Sequence, residues 1–238
     1  MNINNKVVVT GGTGRFAKSL KKKKSKYNFI YPSKQSLNIL KLNSIKKYLK
    51  KTKPKYVLHL AGLSRPMIEH YKNINKSISL NIIGTANLVN VCSDLKIRLI
   101  YLSTSYVYQG KQGNYKEDDP VLPWNNYAWS KLGGECAVQM YKNSLILRVC
   151  MTEKPFVHKK AFANVKLNFI FHEDLVNILI KVLNLKGIIN IGGPAKTVFN
   201  FAKKYNPNVK KIYNRIDKTN SFPPKPFMNL SKLKRILK

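Results

Sequence analysis

A glycine-rich segment near the start of the chain constrains the fold more than any other part of the sequence. Residues 10–17 read Thr-Gly-Gly-Thr-Gly-Arg-Phe-Ala and follow an apolar run at 7–9. Gly11 permits a tight turn, Gly14 lets the backbone approach a pyrophosphate, and the small Ala17 lets a helix pack closely on a strand. The spacing predicts a strand, a phosphate-binding loop and a helix that presents free N–H groups to the phosphate. The loop residues predicted to contact this ligand are Gly11, Thr13, Gly14, Arg15 and Phe16.

Short apolar runs and helical stretches alternate along the first 150 residues. Further runs typical of strands lie at 28–31, 55–60, 98–103 and 144–149, and helical stretches at 16–24, 43–51, 73–92 and 127–141 separate them. This alternation predicts an α/β fold with a doubly wound parallel Rossmann sheet and right-handed crossovers. Because ligands of such sheets bind at the carboxyl ends of the strands, functional residues are expected just after Val9, Leu60, Leu102 and Val149.

The alternation weakens after Val149. A helix is predicted over 171–185, a strand over 188–191 and a terminal helix near 231–237, with proline-containing loop before it. We therefore predict an NAD(P)-binding Rossmann domain over 1–150. The remainder, 151–238, is predicted to be a small, reduced C-terminal substrate-binding region interleaved with the end of the sheet.

The end of the second predicted strand bears on the choice of cofactor. An acidic residue there usually holds the ribose hydroxyls of NAD. This chain has Pro32, Ser33 and Lys34 at that place and no carboxylate, and Ser33 with Lys34 can meet a 2′-phosphate. NADP(H) is therefore the expected cofactor, and NAD(H) is the alternative.

Tyr127 and Lys131 are four residues apart, so on a helix they share one face. An ammonium beside a phenol stabilises the phenolate and lowers the tyrosine pKa. Such a tyrosine can protonate a carbonyl under reduction or deprotonate an alcohol under oxidation. Thr104 follows the fourth predicted strand, where its hydroxyl can hydrogen-bond the substrate oxygen. Together with the glycine loop, the pattern predicts a catalytic set of Thr104, Tyr127 and Lys131.

These three parts in one chain resemble the short-chain dehydrogenase/reductase superfamily. The segment 101–110 resembles its extended, sugar-nucleotide branch, and 115–120 with 127–135 looks closest to the dTDP-4-dehydrorhamnose reductase family. Three shorter pieces fit the same family: Ser36-Leu37-Asn38-Ile39, His59-Leu60-Ala61-Gly62 and Met228-Asn229-Leu230-Ser231-Lys232-Leu233. The resemblance is dense over 6–150 and sparse afterwards.

The resemblance implies a reductase of 4-keto (deoxy)sugar nucleotides. NAD(P)H would deliver hydride to the keto carbon, and Tyr127 would protonate the oxygen. Lys131 would hold the nicotinamide ribose and tune Tyr127, while Thr104 would orient the carbonyl. Further cofactor contacts are implied for Asn38, Ala61, Gly62 and Leu63.

Several positions depart from the family pattern or stay open. Asn38 replaces the usual Asp that contacts adenine. Ser105 and Tyr106 stand where sugar 4,6-dehydratases carry an Asp-Glu pair, so elimination of water is not expected; both are predicted to contact substrate. Arg65 follows the third strand. It can contact a phosphate of the substrate or of the cofactor, or it can be an ordinary arginine of a surface loop. Cys150 with His158 is similar to an acid–base pair of epimerase-reductases, but a buried cysteine at a strand end more often serves only packing.

The charge of the chain is the remaining constraint on its partners. Lys and Arg number 44 against 10 Asp and Glu, a net charge of +34, yet only six are Arg and the lysines are spread throughout. A nucleic-acid site more often shows a local stripe with arginines and aromatics, so we expect a solvated Lys-rich surface instead. The positive field is expected to favour anionic ligands in a cleft.

The remaining expectations concern location and assembly. No apolar run resembles a signal peptide or approaches the 18 residues of a membrane helix, and three scattered cysteines favour a reducing compartment, so a cytoplasmic location is expected. The histidines and cysteines lack metal-ligand spacing. A homodimer is left open. The alternatives to a reductase are an NAD-dependent sugar-nucleotide epimerase of the same superfamily and a non-catalytic, cofactor-binding regulatory subunit.

Overall fold

The computed structural model describes residues 5–214 and 222–238. Over these residues the chain forms twelve strands: β1 (Lys6–Thr10), β2 (Asn28–Ile30), β3 (Tyr56–His59), β4 (Arg98–Thr104), β5 (Ser144–Val149), β6 (Met151–Thr152), β7 (Lys160–Phe162), β8 (Lys166–Leu167), β9 (Ile170–Phe171), β10 (Gly187–Ile191), β11 (Lys196–Thr197) and β12 (Lys210–Ile212). The same residues form nine α-helices: α1 (Arg15–Lys21), α2 (Leu42–Thr52), α3 (Glu69–Lys72), α4 (Ile74–Ile78), α5 (Gly84–Asp94), α6 (Asn126–Gln139), α7 (His172–Val182), α8 (Val198–Lys203) and α9 (Ser231–Leu237).

Six of these strands form the central parallel sheet, in the order β10-β5-β4-β3-β1-β2. The register places Val9 beside Leu58 and Leu58 beside Ile100. Strands that helices cover on both faces are apolar along their whole length, which is why these segments appear in the sequence as uninterrupted apolar runs. The predicted doubly wound parallel sheet is confirmed.

Alternate residues of the strands enter two separate cores, one on each face of the sheet. Val7 and Val9 pack with apolar residues of α1, α7 and α9. Val8 packs on the opposite face with residues of α2, α5 and α6. The period of two along each strand therefore divides the helices into two layers.

The long helix predicted over 73–92 is not uniform. The chain forms α4, then a π-helical turn at Ser79–Ile83, then α5. Short π-helical turns inside α-helices frequently mark functional sites. Asn81, fully buried, lies in the middle of this turn.

The residues after β5 contribute to both the main sheet and a separate cluster. β10 completes the main sheet and α7 packs against one of its faces, while β6 pairs with β9, β7 with β12, and β8 with β11. A third apolar cluster covers these short strands, and its aromatic members include Tyr108, Tyr115 and Phe156. The region thus depends on side-chain packing more than on long strand ladders.

Candidate functional site

The carboxyl ends of β1, β3, β4 and β5 open onto a cleft of about 410 Å³. Thirteen of the residues predicted from the sequence line it: Gly11, Thr13, Gly14, Arg15, Phe16, Ala61, Gly62, Leu63, Arg65, Thr104, Tyr106, Tyr127 and Lys131. The catalytic candidates and the glycine loop thus converge on a single opening at the edge of the sheet where ligands of such folds bind.

Four predicted residues lie outside this lining. Ser33 and Lys34 are exposed after β2, and Ser33 Oγ accepts the Ser36 N–H at 3.2 Å. The side-chain oxygen of Asn38 accepts the Leu40 N–H at 3.0 Å, so it serves a local turn. Ser105 is buried, and its hydroxyl has no hydrogen-bond partner among the described residues.

The glycine loop adopts a conformation that requires glycine at Gly11. Its φ is +71°, and an added Cβ would lie 2.6 Å from the backbone nitrogen of Ala61. The Gly14 N–H donates to the Gly11 carbonyl at 2.9 Å and closes the turn. The loop therefore passes against the segment after β3 with no room for a side chain, which leaves its backbone accessible at the cleft.

Asn81 joins the segment after β3 to helix α6. Its side-chain oxygen accepts the Leu63 N–H at 2.7 Å, and its side-chain nitrogen donates to the Leu63 carbonyl at 2.9 Å and to Ser130 Oγ at 2.8 Å. Ser130 in turn donates to the Tyr127 carbonyl at 2.7 Å. Asn81 does not line the cleft; it fixes the two elements that do.

Helix α6 presents Tyr127 and Lys131 to the cleft. Asn125 caps it by accepting the Ala128 N–H at 2.8 Å. Thr104 lies near the Tyr127 hydroxyl and lowers its pKa, while the Thr104 hydroxyl oxygen accepts the Tyr106 N–H at 3.3 Å. The Tyr127 ring contacts His70 edge-on, with centroids 5.2 Å apart.

The pKa values of the pair differ from the sequence-based expectation. Burial raises the pKa of Tyr127, although the Thr104 side chain and the Arg65 charge oppose this shift. Burial lowers the pKa of Lys131 to about 7, against the influence of Glu135. The Lys131 ammonium lies 4.0 Å from the centroid of the Tyr101 ring. The shift of Tyr127 is thus opposite to the lowering by Lys131 that the sequence suggested, because desolvation dominates.

Polar groups behind the cleft are sealed from water. Glu135, four residues after Lys131, binds Arg148 at 2.6 Å and accepts the Ser103 hydroxyl at 2.5 Å. His59 forms hydrogen bonds through Nδ1 with Thr10 at 2.8 Å and through Nε2 with Thr85 at 3.0 Å. These networks fix the strand ends that carry the site residues.

Glu153 is a cleft residue that the sequence analysis did not single out. Its carboxylate lies 3.0 Å from Arg15 Nη1 and 3.4 Å from Arg65 Nη1. Burial opposes ionisation of this carboxyl, but its backbone N–H, Arg65 and Arg15 together lower its pKa. Its position shortly after the fifth predicted strand could have identified it, because functional residues were expected just after Val149.

Cys150 and His158 also line the cleft, but the thiol is poorly suited to proton transfer. Burial raises the pKa of Cys150 to about 12. Among residues 5–214 and 222–238, no group of His, Cys, Asp and Glu is arranged to hold a metal ion. Within the same ranges, no helix has the length and apolar character needed to cross a membrane.

Comparison with known proteins assigns this chain to a protein family. The model of the RmlD substrate binding domain family matches residues 5–178. Methionine adenosyltransferase 2 subunit beta from Xenopus laevis is 30% identical over 154 residues, which are 60% of this chain and 46% of that protein. Spore coat polysaccharide biosynthesis protein SpsK from Bacillus subtilis is 29% identical over 147 residues, 60% of this chain and 52% of that protein. The matches thus span about half the length of these curated relatives.

Solved structures share the fold over nearly the whole chain. dTDP-4-dehydrorhamnose reductase from Bacillus anthracis, in complex with NADP, superposes with a TM-score of 0.86 at 21% identity, covering 97% of this chain and 92% of that one. UDP-glucuronic acid 4-epimerase from Bacillus cereus, in complex with UDP-glucuronic acid and NAD, gives 0.76 at 20% identity, covering 98% and 92%. At these identities the likeness establishes the fold.

Proposed function

The chain belongs to the RmlD substrate binding domain family, and from this membership and its cleft we propose that it is an NADP(H)-dependent reductase of 4-keto sugar nucleotides. The observation that carries the proposal is the meeting of the glycine loop with Thr104, Tyr127 and Lys131 at one cleft. A phosphate loop beside a hydroxyl, a phenol and an ammonium provides the groups that reduction of a carbonyl requires.

The residues of the cleft fit a dinucleotide. Gly11 leaves the loop backbone free of a side chain, and Arg15 and Arg65 place positive charge on the wall. A nicotinamide dinucleotide would supply the hydride when bound. The exposed Ser33 and Lys34 support NADP(H) over NAD(H). Dissociation constants measured for NADPH and NADH test this preference, and tighter binding of NADH would reverse it.

The proposed chemistry assigns one task to each catalytic residue. The raised pKa of Tyr127 keeps its phenol protonated, which is the state that donates a proton to the carbonyl oxygen. Thr104 lines the cleft beside Tyr127 and would present its hydroxyl to the same carbonyl oxygen. Lys131, half-buried beside them, stabilises in its protonated form the negative charge that proton transfer leaves on Tyr127.

A second cavity supports a large ligand with an aromatic portion. It measures about 490 Å³ and shares Tyr106, His158 and Phe169 with the first cleft. Its other lining residues include Phe156 and Lys160. Aromatic faces and a lysine suit a nucleoside carrying phosphates. We assign the C-terminal region, 151–238, to substrate binding on this ground and 1–150 to the cofactor.

Other chemistries of the superfamily find less support. Ser105 and Tyr106 provide no carboxylates for elimination of water. An epimerase that exchanges protons through a thiol would need an ionisable cysteine, and the pKa of Cys150 is about 12. An epimerase that recycles its cofactor is distinguished by turnover without net consumption of NADPH.

The proposal is tested with Tyr127→Phe, which removes only the phenol oxygen. We expect kcat for NADPH oxidation with a dTDP-4-keto sugar to fall by about 10²- to 10⁴-fold, while the dissociation constant for NADPH changes little. Tyr213→Phe, at an exposed tyrosine outside the cleft lining, is the matched control and should retain full activity. Undiminished turnover by Tyr127→Phe would refute the assignment.

A regulatory subunit is the second candidate. Relatives named methionine adenosyltransferase 2 subunit beta, 27–30% identical, are the observation that favours it. A panel of 4-keto sugar nucleotides with UDP, dTDP, GDP and CDP bases separates the two. If none is reduced, and the NADPH-loaded protein instead binds a methionine adenosyltransferase catalytic subunit and alters its rate, the regulatory function replaces the reductase.

A further inference from the structure

Glu153 is the only acidic side chain among the described residues that line the cleft. The chain has only 10 acidic residues, so a carboxylate in the cleft of a protein with a net charge of +34 needs an explanation. It stands directly after β6, while Arg15 opens α1 and Arg65 lies in the loop after β3. Three separate elements therefore meet at this one carboxylate.

The contacts of Glu153 are those that a phosphate oxygen makes. One carboxylate oxygen lies 3.0 Å from Arg15 and 3.4 Å from Arg65, and the second is also 3.4 Å from Arg65. Guanidinium groups bind carboxylates and phosphates with the same donor geometry. All three side chains remain partly accessible to water, with 48%, 34% and 20% exposed for Arg15, Arg65 and Glu153. An arriving anion can reach the same donors.

The surrounding histidines do not change this balance at neutral pH. His158 and His172 line the cleft nearby, and burial lowers the pKa of both below the ordinary histidine value. The two guanidinium groups and one carboxylate therefore present a net charge of about +1 to the cleft. Removal of the carboxylate charge would double it.

We infer that Arg15 and Arg65 bind a phosphate group of the ligand and that Glu153 competes with this phosphate for both guanidinium groups. Glu153 then sets the affinity of the cleft for phosphates, because each binding event must replace its contacts. The inference rests on the proposed function in taking the ligand to be a nucleotide. The phosphate belongs either to a dinucleotide cofactor or to a sugar nucleotide.

Glu153→Gln, which keeps the size of the side chain and removes its charge, tests the inference. The probes are inorganic pyrophosphate, NADPH and dTDP, measured by calorimetry. We expect the dissociation constant for pyrophosphate to fall about tenfold, as for removal of a like charge near a partly exposed anion site. Arg15→Gln should weaken pyrophosphate binding in both the native and the Glu153→Gln backgrounds.

Glu173→Gln is the matched control. Glu173 is an exposed glutamate at the start of α7, outside the cleft lining, and its substitution changes the net charge by the same amount. We expect less than a twofold change. Equal gains in the two variants would show a general charge effect and overturn the inference, as would unchanged or weaker pyrophosphate binding by Glu153→Gln. A gain confined to NADPH assigns the phosphate to the cofactor, and a gain confined to dTDP assigns it to the substrate.

A measurement on the native protein avoids dependence on folding of the variant. The chain has five glutamates, so selective ¹³C labelling of glutamate carboxyls gives a spectrum of five signals. Pyrophosphate should move the Glu153 signal and raise its pKa toward the ordinary value, because the guanidinium groups leave it. A Glu153 signal unchanged at saturation would overturn the inference. These binding measurements do not require reductase activity, so loss of the proposed function alone would leave them interpretable.

Discussion

Two glutamates of this protein bind arginine in opposite surroundings. Glu135 is fully buried, and Arg148 is nearly so, with the closest atoms 2.6 Å apart. Glu153 is 20% exposed at the cleft and contacts its arginines at 3.0 and 3.4 Å. The same pair of residue types therefore lies in the sealed interior in one region and at the open cleft in the other.

The two pairs differ in whether the arginines keep hydrogen-bond donors that are free for other partners. Arg148 also donates to Tyr108 at 2.7 Å and to the Glu117 carbonyl at 3.1 Å, and Tyr108 donates to Asn190 at 2.8 Å. This network joins α6, β5 and β10 and offers nothing to a ligand. At the cleft, by contrast, the guanidinium groups keep accessible donors. Burial and saturation of hydrogen bonds thus distinguish a structural pair from one that can exchange.

The strongest test of this comparison is Arg148→Met. It leaves Glu135 buried without its counterion, and we expect a loss of about 3–5 kcal/mol in the free energy of unfolding, measured in urea. The double variant Arg148→Met/Glu135→Leu is the control, because apolar replacement of both partners removes the uncompensated charge. Recovery of most of the stability in the double variant would support the assignment. A loss below 1 kcal/mol in the single variant would show that the Glu135 pair, like the Glu153 pair, contributes little to stability.

A second test uses His59, which is buried behind the cleft. Burial lowers the pKa of His59 to about 3, so the unfolded chain takes up a proton near pH 6.5 while the folded protein does not. Its contribution to stability is present above pH 6.5 and is lost as the pH falls toward 3, by about 3 kcal/mol between pH 6.5 and 4. His59→Gln should reduce this acid-side loss in urea unfolding at several pH values. Parallel curves for the native protein and the variant would contradict it.

The smallest effect is expected for the stability of Glu153→Gln. Ion pairs that water partly reaches are screened, so the free energy of unfolding should change by less than about 1 kcal/mol. The same variant should change pyrophosphate affinity clearly, so stability and affinity separate at this residue. A destabilisation above about 2 kcal/mol would show that Glu153 and its arginines stabilise the fold, as Glu135 and Arg148 do, and would contradict the comparison.

Much of the fold was predictable because it depends on local pattern. The strand at 144–149 and the helix at 231–237 were predicted with the bounds that the structure gives, since each is a short segment with clear apolar spacing. The π-helical turn at Ser79–Ile83 was not, because no local spacing marks it and its central Asn81 contacts Leu63 and Ser130, which are distant along the chain. The short strand pairs after β5 were also missed, since two-residue strands leave no periodic signal.

The parallel sheet follows from the alternation of apolar and helical segments along the chain, and the glycine loop and the proximity of Tyr127 to Lys131 each follow from spacing within one segment. The assembled fold sets which charges meet. Arg65 and Glu153 are 88 residues apart, and only the convergence of strand ends brings them together. It also decided the direction of the Tyr127 pKa, because desolvation depends on everything packed around the phenol. Spacing specifies neighbours along the chain, whereas burial and long-range pairing arise only once the sheet has assembled.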